Sequence, residues 1–272
     1  MAIKASQLGI SSFILLAILL ICMGLSSLNI TTAWLVAISF LTTAVCLISA
    51  MHLMGMPLGL RFFLLAIVLG FCAEYLGENY GWFFGDYDFT DVLGFKIAGI
   101  PIVIPMMWFN LAYMSYVIAN ILIYREPVDR MHNIWISILT SALSASLVTA
   151  YDLAADPYLV MIVKAWIMDK TDGWWFGETL QGFVGWFVVS FTIVSLFKFV
   201  AREKLKAPHP TFGKTHALVP ITIFTASMFF YVLFGHPVET RTVALFAMGV
   251  PVLIALISWR AWAWNDIQGE AL

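Results

Sequence analysis

Charge is scarce in this chain. Asp, Glu, Lys and Arg make up 11% of its 272 residues, against about 25% in a soluble globular domain. Too few polar groups remain to cover a water-facing surface. Cys22, Cys46 and Cys72 are odd in number and scattered, which excludes a secreted disulfide scaffold. Basic residues are not in excess, and a net charge of −2 gives no field to attract phosphates, so no nucleic-acid partner is expected. H-E-x-x-H and C-x-x-C spacings are missing and the five histidines are dispersed, so no metal site is expected. No G-x-x-x-x-G-K-S/T or G-x-G-x-x-G loop occurs, which removes the usual nucleotide cradles. The short alternating segments of a transmembrane barrel are absent too.

What is present is apolar. Hydrophobic residues reach 62% and the mean hydropathy is +0.93, incompatible with disorder and diagnostic of an integral membrane protein. A bilayer core takes about 20 apolar residues in helical form. Eight such runs lie near 9–26, 33–54, 60–79, 102–124, 133–155, 182–200, 216–234 and 242–263. The first follows Lys4 but is long for a signal-peptide core and lacks a convincing cleavage site, so it reads as a retained helix. The expected fold is all-α: one polytopic domain over 1–272, a transmembrane bundle of about eight spans.

Orientation follows from the basic residues. One side carries ten of them: Lys4, Arg61, Arg125, Arg130, Lys198, Arg202, Lys204, Lys206, Lys214 and Arg260. The other carries four, Lys96, Lys164, Lys170 and Arg241. Both termini are therefore expected in the cytoplasm, with a bacterial inner membrane as the expected location. Acids are biased the other way. Glu74, Glu78, Asp86, Asp88 and Asp91 form one outer group, and Asp152, Asp156, Asp169, Asp172 and Glu178 a second.

Two carboxyl pairs stand out. Glu74 interrupts an apolar run, where an ionisable group is costly unless it is paired or faces a wet cavity; Glu78 follows at i+4, on the same helical face. Asp152 and Asp156 repeat the spacing, and Pro157 is expected to end the helix beside Asp156. Beside these pairs run two glycine–aromatic stretches, Tyr80–Phe89 and Gly173–Glu178. Trp and Tyr favour the membrane interface, and aromatic faces also stabilise cations.

Taken together, Glu74, then Gly85-Asp86-Tyr87, Gly99-Ile100-Pro101, Pro105 and Trp108 resemble the carotenoid biosynthesis membrane proteins of the CruF type. Asp152, Asp156-Pro157 and the run ending in Gly185-Trp186 look like that family's second motif block. The resemblance covers about 60–190. It departs at Thr179 and Gly182, where the family pattern has Pro and Asn.

The resemblance implies a carotenoid hydratase, a lyase acting on an acyclic, lycopene-like carotenoid end. It would add water across the terminal double bond to give a tertiary alcohol, with no cofactor. The expected catalytic residues are Glu74, Asp152, Glu78 and Asp156: a deeper member, Glu74 or Asp152, as acid, and its mate, Glu78 or Asp156, positioning water. Tyr75, Trp82, Tyr87, Trp108, Trp174, Trp175 and Trp186 are the expected substrate-lining residues. The expected partners are carotenoid, water and membrane lipid. Two other readings stay open. Asp152-x-x-x-Asp156 and Asp86-x-Asp88-x-x-Asp91 would suit a Mg²⁺-dependent polyprenyl transferase, and the whole would suit a non-enzymatic carotenoid-binding protein.

Overall fold

The computed structural model describes residues 5–128, 133–169, 173–205 and 214–269. Lys4, Arg130, Lys170, Asp172 and Lys206 lie outside them. The chain is 80% helical, and eight helices are long and apolar enough to cross a membrane. In order they are α1 (Ala5–Ser26), α2 (Thr32–Met54), α3 (Met56–Tyr80), α4 (Val103–Tyr124), α5 (Ile134–Tyr158), α6 (Leu180–Leu205) and α7 (Leu218–Phe234), then the short α8 (Glu239–Val243), which runs through a π-helical turn into α9 (Gly249–Gly269). The described chain is thus an integral, multi-pass membrane protein.

Local chemistry sets the helix ends. Thr31 and Asn133 cap α2 and α5, their side-chain oxygens accepting backbone N–H groups of the first turn, the usual role of short polar side chains. Pro57 opens α3 at its first turn, where no N–H partner is lost.

The central helix is α4. It touches α2, α3, α5, α6, α7 and α9, and 78% of its span is buried. Helices α1 and α9 instead expose Ile10, Ile14, Ile21, Leu253 and Ile257, an apolar surface that belongs against lipid. At one end of the bundle the connections α3–α4 and α5–α6 build a cap. Strand β1 (Tyr87–Phe89) from the first pairs antiparallel with β4 (Trp166–Met168) from the second, Tyr87 opposite Met168 and Phe89 opposite Trp166. Between them, β2 (Lys96–Ile97) and β3 (Ile100–Pro101) form a hairpin whose turn residues Ala98 and Gly99 both have positive φ, as a tight two-residue turn requires. The period-two alternation turns Tyr87 and Phe89 inward and leaves Asp88 in solvent.

Seven spans agree with the sequence reading to within four residues; the fifth does not. It runs to Val163 instead of stopping near 155, because Pro157 sits inside α5 rather than ending it. Proline there deprives the Leu153 carbonyl of its helical donor. The Trp175 indole replaces it, Nε1–H donating to the Leu153 oxygen at 3.0 Å. The helix continues because a cap residue supplies the missing bond. Trp175→Phe leaves that carbonyl unpaired, and thermal unfolding in detergent should show a loss of about 1–3 kcal/mol. An unchanged unfolding midpoint would contradict this account of α5.

Candidate active site

Glu74 lies six residues before the end of α3, about 9 Å below the helix terminus at ~1.5 Å per residue. It is buried, on one face with Gly70, Ala73 and Gly77. The two glycines make room for its partners. A Cβ at Gly70 would come within 2.7 Å of the Trp108 ring, and one at Gly77 within 2.9 Å of the Tyr87 hydroxyl. Through those gaps Trp108 Nε1–H donates to Glu74 Oε1 at 2.7 Å, and Tyr87 O–H donates to Oε2 at 2.5 Å. Trp186 stacks on Trp108 with ring centroids 4.5 Å apart, and Phe84 packs beside both. Both carboxyl oxygens of Glu74 are therefore held in a fixed aromatic frame.

Facing Glu74 across the bundle end are Asp156 of α5 and Glu178, which precedes α6. Both are buried and line the same recess, and Asp156 Oδ1 has no hydrogen-bond partner. Thr179 fixes this corner: its Oγ1 accepts from the Gly182 N–H and caps α6. Gln181 ties the same turn to the Gly81 carbonyl at the end of α3, at 2.9 Å. Glu74, Asp156 and Glu178 line one recess of about 30 Å³, with Phe84, Trp186 and Gly182 in its wall and Tyr87, Phe89, Trp166 and Met168 of the cap as its roof. That volume is close to one water's share of liquid. Among the described residues, no Lys, Arg or His lines it.

Asp152, one turn earlier on α5, is also buried and interacts electrostatically with Glu178 and Glu74, but stands behind the recess wall. Burial raises the Glu178 carboxyl above its ordinary value, an effect its hydrogen bond to Asp156 only partly offsets. Burial likewise raises the Tyr87 phenol, which stays a neutral donor to Glu74.

A second, larger cavity of about 200 Å³ adjoins the recess. The two share Ile104, Met107 and Trp166. None of the residues lining the larger chamber is charged; Trp34, Ile38, Leu111, Met114 and Phe230 are among them.

A family model described as carotenoid biosynthesis protein matches residues 32–257, which takes in every residue of both cavities except Met23, Ser26 and Ile30. The chain belongs to the carotenoid biosynthesis protein family. No curated protein and no solved structure matches it. Family membership supports an enzyme of carotenoid biosynthesis and association with a carotenoid substrate.

Within this family member, the residues singled out from the sequence fall into three places. Glu74, Asp156, Tyr87 and Trp186 line the recess; Trp108 bonds Glu74 from behind it, Trp175 bonds the Leu153 carbonyl of α5, and Asp152 is buried one turn before Asp156. Glu78 is half-buried at the end of α3, against Gly99 and the Phe89 backbone of the cap. Tyr75, Trp82 and Trp174 are exposed. Asp86, Asp88 and Asp91 do not converge: all three are exposed, and Asp91 pairs with Lys96 at 3.0 Å. Glu178, Phe84, Phe89, Trp166 and Met107 were not singled out as site residues. The position of Glu178 in a glycine–aromatic run beside Asp156-Pro157 was the available signal; the others are apolar residues that sequence alone does not separate from packing.

The raised Glu178 carboxyl carries a stability consequence. The folded chain holds this proton to higher pH than the unfolded chain, so stability declines as pH rises above the ordinary glutamate value of 4.5 toward the raised one. Thermal unfolding across that window should show a falling midpoint, and Glu178→Gln should flatten the fall. Parallel slopes for the two proteins would count against the buried, protonated carboxyl.

Proposed function

We propose that this protein is a carotenoid hydratase, adding one water across the terminal double bond of an acyclic carotenoid end to give a tertiary alcohol. The observation that carries the reading is the pairing of two unlike cavities: a water-sized recess walled by three carboxyls, and a chamber with no charged residue among its described lining that shares Ile104, Met107 and Trp166 with it. Hydration of an alkene needs both environments in contact. The hydrocarbon end occupies the chamber, the water occupies the recess, and the reacting bond lies at their boundary.

A carboxyl group in the recess gives its proton to the less substituted alkene carbon, and the C–H bond forms as the π bond breaks. The positive charge develops on the tertiary carbon. Trp166, Trp186 and Phe84 present aromatic faces where that charge forms, a stabilisation worth about 2 kcal/mol when desolvated. Water attacks the cation, and the proton it sheds is taken by the carboxylate opposite. Atoms and charge balance, and no redox or cofactor chemistry is required. The recess lies about 9 Å in from the helix terminus, so water from the interface reaches an end of a membrane-dissolved polyene. By the distribution of basic residues this is the non-cytoplasmic end, in a bacterial inner membrane.

The uncharged chamber favours a hydrocarbon over a diphosphate, which would need cations around it, and the outward-facing Asp86, Asp88 and Asp91 offer no grip inside the bundle. Expression in a lycopene-accumulating bacterium should yield pigment heavier by the mass of one water per modified end. Activity should survive EDTA, and Glu74→Gln and Asp156→Asn should each lower turnover by about 100-fold or more. Unmodified pigment co-purifying with the protein would point instead to carotenoid binding without chemistry, and metal-dependent turnover to prenyl transfer.

A further inference from the structure

We infer that Asp156 and Glu178 share one proton, that this is the proton delivered to the alkene, and that Glu74 is the carboxylate that activates water. The inference rests on the hydratase reading for the identity of the reaction and goes beyond it by assigning the two chemical roles, including one to Glu178.

Hydrogen-bond inventory separates the two sides of the recess. An indole N–H can only donate, so Trp108 requires Glu74 Oε1 to be an acceptor. The Tyr87 hydroxyl donates to Oε2 at 2.5 Å, in the range of a hydroxyl bonded to a charged oxygen. With both oxygens accepting, Glu74 has the partners of an ionised carboxylate. Asp156 and Glu178 have the opposite arrangement. Two ionised carboxylates are acceptors only, and these two are buried in the wall of one narrow recess, where a proton held between them lets one donate to the other. Asp156 Oδ1 is buried with no hydrogen-bond partner, and among the described residues no Lys, Arg or His lines the recess to offset a second charge.

Among the described residues, every ionisable group packed around the pair has the same sign or is neutral: Glu74 from α3, Asp152 from α5 and Tyr87 from β1, with Glu78 farther out at the end of α3. Withdrawing the shared proton would set two negative charges side by side among other carboxyls, so the pair holds it until a stronger demand arises, such as a π bond placed at the chamber boundary. Glu74 stands across a space the size of one water, placed to take the proton that water sheds. Asp152 is not among the lining residues of either cavity. In each cycle one proton leaves the pair and one arrives at Glu74, and transfer back through the water-sized recess resets both.

Deuterium oxide separates the roles. In Glu74→Gln the pair still protonates the alkene, the cation finds no activated water, and loss of a proton returns the alkene. That variant should form about 100-fold less alcohol while the recovered carotene gains deuterium at its end group. Asp156→Asn and Glu178→Gln should lose both alcohol and deuterium uptake, and the double variant should be no worse than either single one, as for residues acting as a unit. Full hydration by Glu178→Gln, or deuterium uptake kept by Glu178→Gln and lost by Glu74→Gln, overturns the assignment. Infrared spectroscopy tests the proton without turnover. The purified wild type at neutral pH should show the carbonyl stretch of a buried neutral carboxyl, retained in Glu74→Gln and lost in Glu178→Gln. Its absence from the wild type overturns the shared proton even if a variant fails to fold. A wild type that shows the band yet makes no alcohol instead overturns the hydratase reading alone.

Discussion

A carboxyl group withdrawn from water has to find its hydrogen bonds among the groups that exclude the water, and at Glu74 this requirement organises the closed end of the bundle. Trp108 and Tyr87 approach from two different elements, the central helix and the cap, and they reach Glu74 only because Gly70 and Gly77 leave no side chain in the way. The stacking of Trp186 on Trp108 then fixes α6, and Tyr87 fixes β1, which pairs with β4 to close the roof. One buried acid thus links α3, α4, α6 and the cap. An apolar residue of similar size would leave the indole and the phenol without acceptors, at a cost of roughly 1–3 kcal/mol for each unsatisfied buried group.

The same economy of water explains the two cavities. Polar side chains are concentrated in a space that fits about one molecule of water, while the larger chamber beside it carries no charge. In a low-dielectric setting a proton transfer or a developing cation is governed by the few groups in contact with it. Here those groups are carboxyls on three sides and aromatic faces between them. Among the described residues the recess wall holds acids and no base, which leaves hydrogen bonds and shared protons as the means of holding negative charge.

Much of this was legible in the sequence. Eight apolar runs fixed the number of crossings and most of their limits, since length and hydropathy alone decide whether a helix can span a bilayer. Glu74 and the Asp152–Asp156 pair were conspicuous as ionisable residues inside apolar runs. The end of the fifth span was misread at Pro157, because the donor that rescues the Leu153 carbonyl comes from Trp175, which local sequence rules do not place nearby. Of the aromatic residues, Tyr75, Trp82 and Trp174 resemble Tyr87, Trp108 and Trp186 in composition and neighbourhood; only the direction of each side chain sorts the exposed set from the buried one.

The sequence by itself determined that the chain lives in a membrane, how often it crosses, and that its acids gather at one end, because these depend on composition along a single line of residues. Only the tertiary structure decided that Glu74, Asp156 and Glu178 meet around one water-sized space and that Glu78 lies apart, against the cap. Three separate segments must be brought to a common point for that, and the walls that bring them, α4 between α3 and α5 and α6 closing the far side, are set by packing, which no single stretch of the chain encodes.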